Sequence, residues 1–124
     1  MTCIASSGTP MDVVKGDDIS FDCQFVQPDE RGINAAYDIS DYDITFTFPG
    51  QASDVVLTSN PANGVTKTDP TKGLCQVVIE KAVSATLRKG ERQTFYATLV
   101  HTTSSEETTV KFKDIWNVEE RDFR

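Results

Sequence analysis

The chain has 124 residues and carries 19 acidic against 12 basic side chains, a formal net charge of −7. That length supports one domain with one core, and 38% hydrophobic residues leave nothing for a second. No basic stripe is present to neutralise phosphates, so nucleic acid is not an expected partner; the negative charge argues equally against an anionic membrane surface.

Residues 1–10 open with Met1-Thr2-Cys3-Ile4-Ala5, which has neither the basic start nor the apolar run of a signal peptide. They read as a flexible lead-in, and synthesis in a cytoplasm is the expectation. Nowhere does the chain hold the roughly 20 apolar residues that cross a bilayer. Met11-Asp12-Val13-Val14-Lys15 follows Pro10 and fits an edge strand; Gly16-Asp17-Asp18 is a turn. Ile19, Phe21, Cys23 and Phe25 then alternate with Ser20, Asp22 and Gln24, the signature of a half-buried strand.

The stretch 28–40 breaks the pattern and reads as a loop with room for a helical turn. Alternation resumes with Tyr42, Ile44, Phe46 and Phe48 on one side, and it stops at Pro49-Gly50. Short strands are expected near 54–58 and 65–68, then a turn at Asp69-Pro70-Thr71-Lys72-Gly73. The next strand puts Cys75, Val77 and Ile79 on one face. The segment 81–87 is the single helical piece, too short to stand alone.

Phe95, Ala97 and Leu99 face one way and Tyr96, Thr98 and Val100 the other, so this strand is either central or covered by a partner. A hairpin at 102–106 leads to the last strand, which uses Val110, Phe112, Trp116 and Val118; Asp114-Ile115 breaks its alternation and predicts a bulge. About seven strands and one short helical turn make an all-β chain, with an antiparallel two-sheet β-sandwich as the expected architecture and a small barrel, which also buries one face per strand, as the alternative. The domain is set at 11–118, followed by a charged tail at 119–124.

Sites for chemistry are scarce. The one histidine, His101, ends a strand beside hairpin residues and reads as packed or solvated rather than catalytic. No Cys/His spacing suits zinc. Asp38, Asp41 and Asp43 could gather around a hard cation, but alternation sends Asp41 and Asp43 to a solvated face. No catalytic residue, metal ligand or cofactor is therefore assigned. With three cysteines there is no disulfide framework. Cys23 and Cys75 are expected as two buried free thiols, with a cross-strand bond as the alternative.

The surface remains. Tyr37 and Tyr42 flank Asp38-Ile39-Ser40-Asp41, Tyr96 lies opposite Phe95, and Trp116 and Phe123 close the chain. These five aromatics are the candidate interface residues.

Lys15-Gly16-Asp17-Asp18-Ile19-Ser20-Phe21 and Asp38-Ile39-Ser40-Asp41-Tyr42-Asp43-Ile44-Thr45-Phe46-Thr47-Phe48 resemble the first half of small immunoglobulin-like domains in tailed-phage virions, among them the N-terminal module of baseplate upper proteins. The stretches 69–80, 83–90 and 95–100 are similar to their second half. Thr103-Ser104-Ser105 stands where many relatives have a glycine, and Asp41 where a small residue is usual. The resemblance spans about 11–118. It implies an immunoglobulin-like, non-enzymatic structural protein of a phage or prophage particle, in tail, baseplate, neck or head. Its implied partners are other virion proteins or further copies of itself in a ring. The alternative is a stand-alone carbohydrate- or protein-binding sandwich, with Tyr37, Tyr42 and Tyr96 as stacking rings and Asp41 and Asp43 as acceptors.

Overall fold

The computed structural model describes residues 2–5 and 11–120, apart from the side chains of 2–5, Pro28 and Asn34. Ten strands form two sheets. The first contains β1 (Thr2–Ala5), β3 (Ile19–Pro28), β8 (Leu74–Ile79) and β7 (Val65–Asp69) in that order, with β4 (Asn34–Ala36) also on β3. The second runs β2 (Met11–Lys15), β10 (Glu107–Glu120), β9 (Gly90–His101), β5 (Tyr42–Phe48), β6 (Val55–Thr58). The expected two-sheet sandwich is thus the architecture. Among the described strands all ladders are antiparallel except β2 with β10, which is parallel with Met11 opposite Trp116 and Lys15 opposite Glu120.

Period-two patterning explains the layers, because successive side chains of a strand point to opposite faces. Phe25, Cys23 and Ile19 from β3 meet Cys75, Val77 and Ile79 from β8; Ile44, Phe46 and Phe48 from β5 meet Phe95, Ala97 and Leu99 from β9. Between the sheets the rings form a continuous pack. Phe95 stacks on Phe112 at 4.3 Å and on Phe48 at 4.8 Å, with Trp116 4.9 Å from Phe48. The two-faced strand at 95–100 is central: β10 flanks it on one side and β5 on the other.

Three sequence expectations change. The lead-in is not wholly outside the domain, since Thr2–Ala5 pairs antiparallel with β3, Ala5 opposite Cys23. Four residues are too few for alternation to register, yet the open edge of β3 offers them a ladder. Second, the 28–40 stretch contains β4 rather than a helical turn. Third, Cys23 and Cys75 lie directly opposite each other, but only Cys75 is a free thiol; Cys23 is disulfide-bonded.

The predicted bulge is present. Phe112 pairs with Phe95 and Trp116 with Gln93, so four steps along β10 span two along β9, and Asp114 takes a φ of 60°. The expected helical piece is α1 (Lys81–Ser84), one turn long. It is locked to the β2–β3 turn by Ser84, whose buried hydroxyl accepts the Gly16 N–H at 3.0 Å and donates to the Asp17 carbonyl at 2.6 Å. Asp18 adds a carboxylate cap on the Lys81 N–H at 2.9 Å. No helix among the described residues is long and apolar enough to cross a membrane.

Candidate interaction surface

The sequence candidates separate into three places. Tyr37 and Tyr42 come together at one end of the sandwich. Tyr42 begins β5 on the inward side, and the backbone at 37–42 is sutured to both sheets: Tyr37 N–H donates to Phe25, Ile39 N–H to Pro70, and Thr102 N–H to Asp41. The two phenols consequently meet at 2.7 Å, half-buried, their rings tilted by 45°. That hydrogen bond to Tyr42, then burial, then the charges of Tyr42 and Glu106 push the Tyr37 phenol up to about 12.

His101 lies next to this pair, edge-on to Tyr42 with ring centres 5.2 Å apart. Its Nδ1 accepts the backbone N–H groups of Thr103 and Ser104, each at 3.2 Å, which closes the hairpin loop. No hydrogen bond joins the imidazole to an acid, serine or cysteine side chain among the described residues. The histidine is a loop cap.

Trp116, read from sequence as an interface candidate, belongs to the core: it is fully buried against Phe21, Phe48 and Phe95. The bulge inserts two extra residues, an even number, so Trp116 returns to the inward face that Phe112 occupied. Phe123 lies outside the described residues.

Among the described candidates, only Tyr96 projects from a sheet, with 39% of its surface exposed. It sits on the outer face of the β10–β9–β5–β6 sheet, away from Tyr37 and Tyr42, so the three tyrosines make no common stacking platform. Its neighbours across the strands are Lys111 on β10 and Thr47 on β5, and Thr47 in turn faces Val56 of β6, 49% exposed. The next row is Thr109, Thr98, Thr45 and Thr58, in which Thr98 and Thr109 hydroxyls approach to 3.5 Å. The row beyond is Glu107, Val100 and Asp43. The centre of this face is uncharged, although a quarter of the chain is charged. The signal in the sequence is the outward half of the alternation, Thr45 and Thr47 after Asp43 in β5 and Tyr96, Thr98 and Val100 in β9; the two-faced strand 95–100 and Tyr96 stood out from it, and the threonines of β5 did not.

Two of the acidic candidates are engaged locally. Asp38 accepts from Ser40 through its hydroxyl and backbone N–H, which holds its carboxyl below the ordinary range, and Asp43 takes an Asn60 amide at 3.5 Å. No three His, Cys, Asp or Glu side chains among the described residues converge as metal ligands. Burial, reinforced by the charge of Asp22, pushes the Cys75 thiol up to about 12, far from a reactive thiolate.

No protein-family model matches the chain, and no curated protein does. Among solved structures, a chicken TCR matches in fold with a TM-score of 0.52 and 11% identity, over 98% of this chain and 57% of that one. The chain thus spans little more than half the length of that receptor chain. At such identity the likeness is one of fold: the sandwich is immunoglobulin-like.

Proposed function

We propose that the chain is a non-enzymatic assembly module acting through protein–protein contacts, and that it serves in a tailed-phage or prophage particle, made in the host cytoplasm. The observation that carries the first half is the charge-poor centre of the outer face, where Tyr96, Val56 and the threonines of β5 and β9 lie between Lys111 on one side and Asp43 and Glu107 on the other. The depletion of charge is what a protein–protein contact favours. In keeping with it, the side chains best suited to chemistry have structural duties: His101 caps a loop, the two phenols bond each other, and Cys75 is a buried thiol. An immunoglobulin-like sandwich hosts many functions and by itself selects none. The virion half of the proposal is supported by the resemblance of 15–21 and 38–48 to phage domains.

The test is direct. Particles purified from the producing strain are analysed by mass spectrometry, and the chain is located on them by antibody-gold microscopy. A fixed copy number at one place on the particle is the expected result. Particles without the chain, from a strain that makes it in quantity, would overturn the virion assignment.

A further inference from the structure

We propose that the outer face of the β10–β9–β5–β6 sheet pairs with the same face of a second copy about a two-fold axis, a self-association that rests on the assembly reading above. A solvated sheet face can also be rich in threonine, because threonine is a good strand former. What solvation does not require is the arrangement of charge at its margins. Glu107 and Asp43 stand in one row at one end of the uncharged patch; Lys111 stands two rows away at the other, with Lys113 beyond it on the same strand. Rows on one face are roughly 7 Å apart, so Glu107 and Lys111 are separated by about 14 Å along β10.

Consider an axis along the threonine row Thr109–Thr98–Thr45–Thr58, perpendicular to the strands. A rotation about it exchanges the rows on either side. Lys111 of one copy then faces Glu107 of the other, twice by symmetry, and Tyr96 covers Val100. Along β10 opposite charges meet at both ends, Asp43 meets Thr47, and the uncharged threonines meet in the middle, which is the self-complementarity an isologous contact demands. Each copy carries −7, but at about 0.15 M salt the screening length is roughly 8 Å, so the local pairs outweigh the distant repulsion.

Four strands about 4.8 Å apart and some 20 Å long give a patch on the order of 400 Å² per copy. That is below the size of a standard stable interface, so the pair is expected to be weak, with a dissociation constant on the order of 100 µM.

Sedimentation velocity between about 10 µM and about 1 mM, at about 0.15 M salt, reads such an association. The wild-type chain is expected to move from monomer towards twice its mass. Glu107→Lys or Lys111→Glu alone turns two attractive pairs into repulsive ones and should weaken association about tenfold. The double exchange in one chain should restore it, and Tyr96→Asp should abolish it; circular dichroism verifies that each variant is folded. Monomer at every concentration would overturn the proposal, as would single exchanges without effect or a double exchange without rescue. A monomeric chain that still enters particles defeats the pairing and spares the assembly reading. A chain that pairs as expected but is missing from particles upholds the pairing and defeats the virion assignment.

Discussion

Replacing Phe95 probes the centre of the domain. Its ring is fully buried on the central strand of its sheet and has five aromatic neighbours: Phe21, Phe46, Phe48, Phe112 and Trp116. Truncating a buried Phe to Ala costs about 3–5 kcal/mol, and a site hemmed in by rigid rings has little freedom to collapse, so the upper half of that range applies. A 124-residue chain at 0.05–0.15 kcal/mol per residue has roughly 6–19 kcal/mol in total, so Phe95→Ala removes a large share. Phe95→Leu separates volume from stacking. It keeps most of the filled space and loses two close stacks, Phe112 at 4.3 Å and Phe48 at 4.8 Å, each worth about 0.5–1.5 kcal/mol. A total of roughly 1–3 kcal/mol follows. Urea unfolding measures both; at a slope near 2 kcal/mol/M, about 4 kcal/mol lowers the midpoint by about 2 M. A double-mutant cycle with Phe112→Leu should return a coupling of about 0.5–1.5 kcal/mol. A Phe95→Ala cost below about 1 kcal/mol, or no coupling to Phe112, would show that these rings do not form the core described.

Gly73→Ala should cost about 3 kcal/mol or more: φ is +72°, and an added Cβ would lie 2.4 Å from the Phe25 carbonyl oxygen and 2.6 Å from that of Tyr37. Gly16→Ala is the control. Its φ is +90° with open space around the Cβ, so only the backbone cost of about 1 kcal/mol applies; equal losses in the two variants would contradict the close approach of 73 to β3. Tyr37→Phe leaves the Tyr42 hydroxyl without its partner, at a cost of about 1 kcal/mol near neutral pH. Because the folded state raises the Tyr37 phenol above its ordinary 10 to about 12, its contribution is complete below pH 10 and is lost as pH rises through that window. Urea midpoints at about pH 9 and pH 11 should therefore fall less in the variant than in wild type; an equal fall would refute the coupling of the two phenols.

The sequence was most informative where alternation ran long. The inward sets of β3, β5, β8 and β9 could be read by parity alone, since each strand has one face in the core. The bulge was visible because Asp114 occupies an inward position by count, and a lone carboxylate is not tolerated there. Length set the limits: β1 and β4 have four and three residues, too few to show a period, and they exist because β3 offers them a ladder. The parallel pairing of β2 is a tertiary fact with no local signature. Among the candidate site residues, Tyr37 and Tyr42 were found but not their bond to each other, because that depends on how 37–42 is pinned between the sheets. Trp116 shares parity with Phe112 and is buried as that count requires; it was singled out as surface because it stands beside the charged end of the chain, where sequence alone does not show that the sheet continues over it.

The parallel alignment of β2 with β10 also governs how the domain bears a load. Tension applied at Met11 and at Glu120 draws these neighbours past each other lengthwise, so the five register pairs from Met11 to Lys15 resist together instead of parting one by one. Pulled between those points in a force spectrometer, the domain should hold to a single peak before it extends. A gradual, low-force peeling would contradict that geometry. A sandwich built this way passes force from one end of the chain to the other without opening its core.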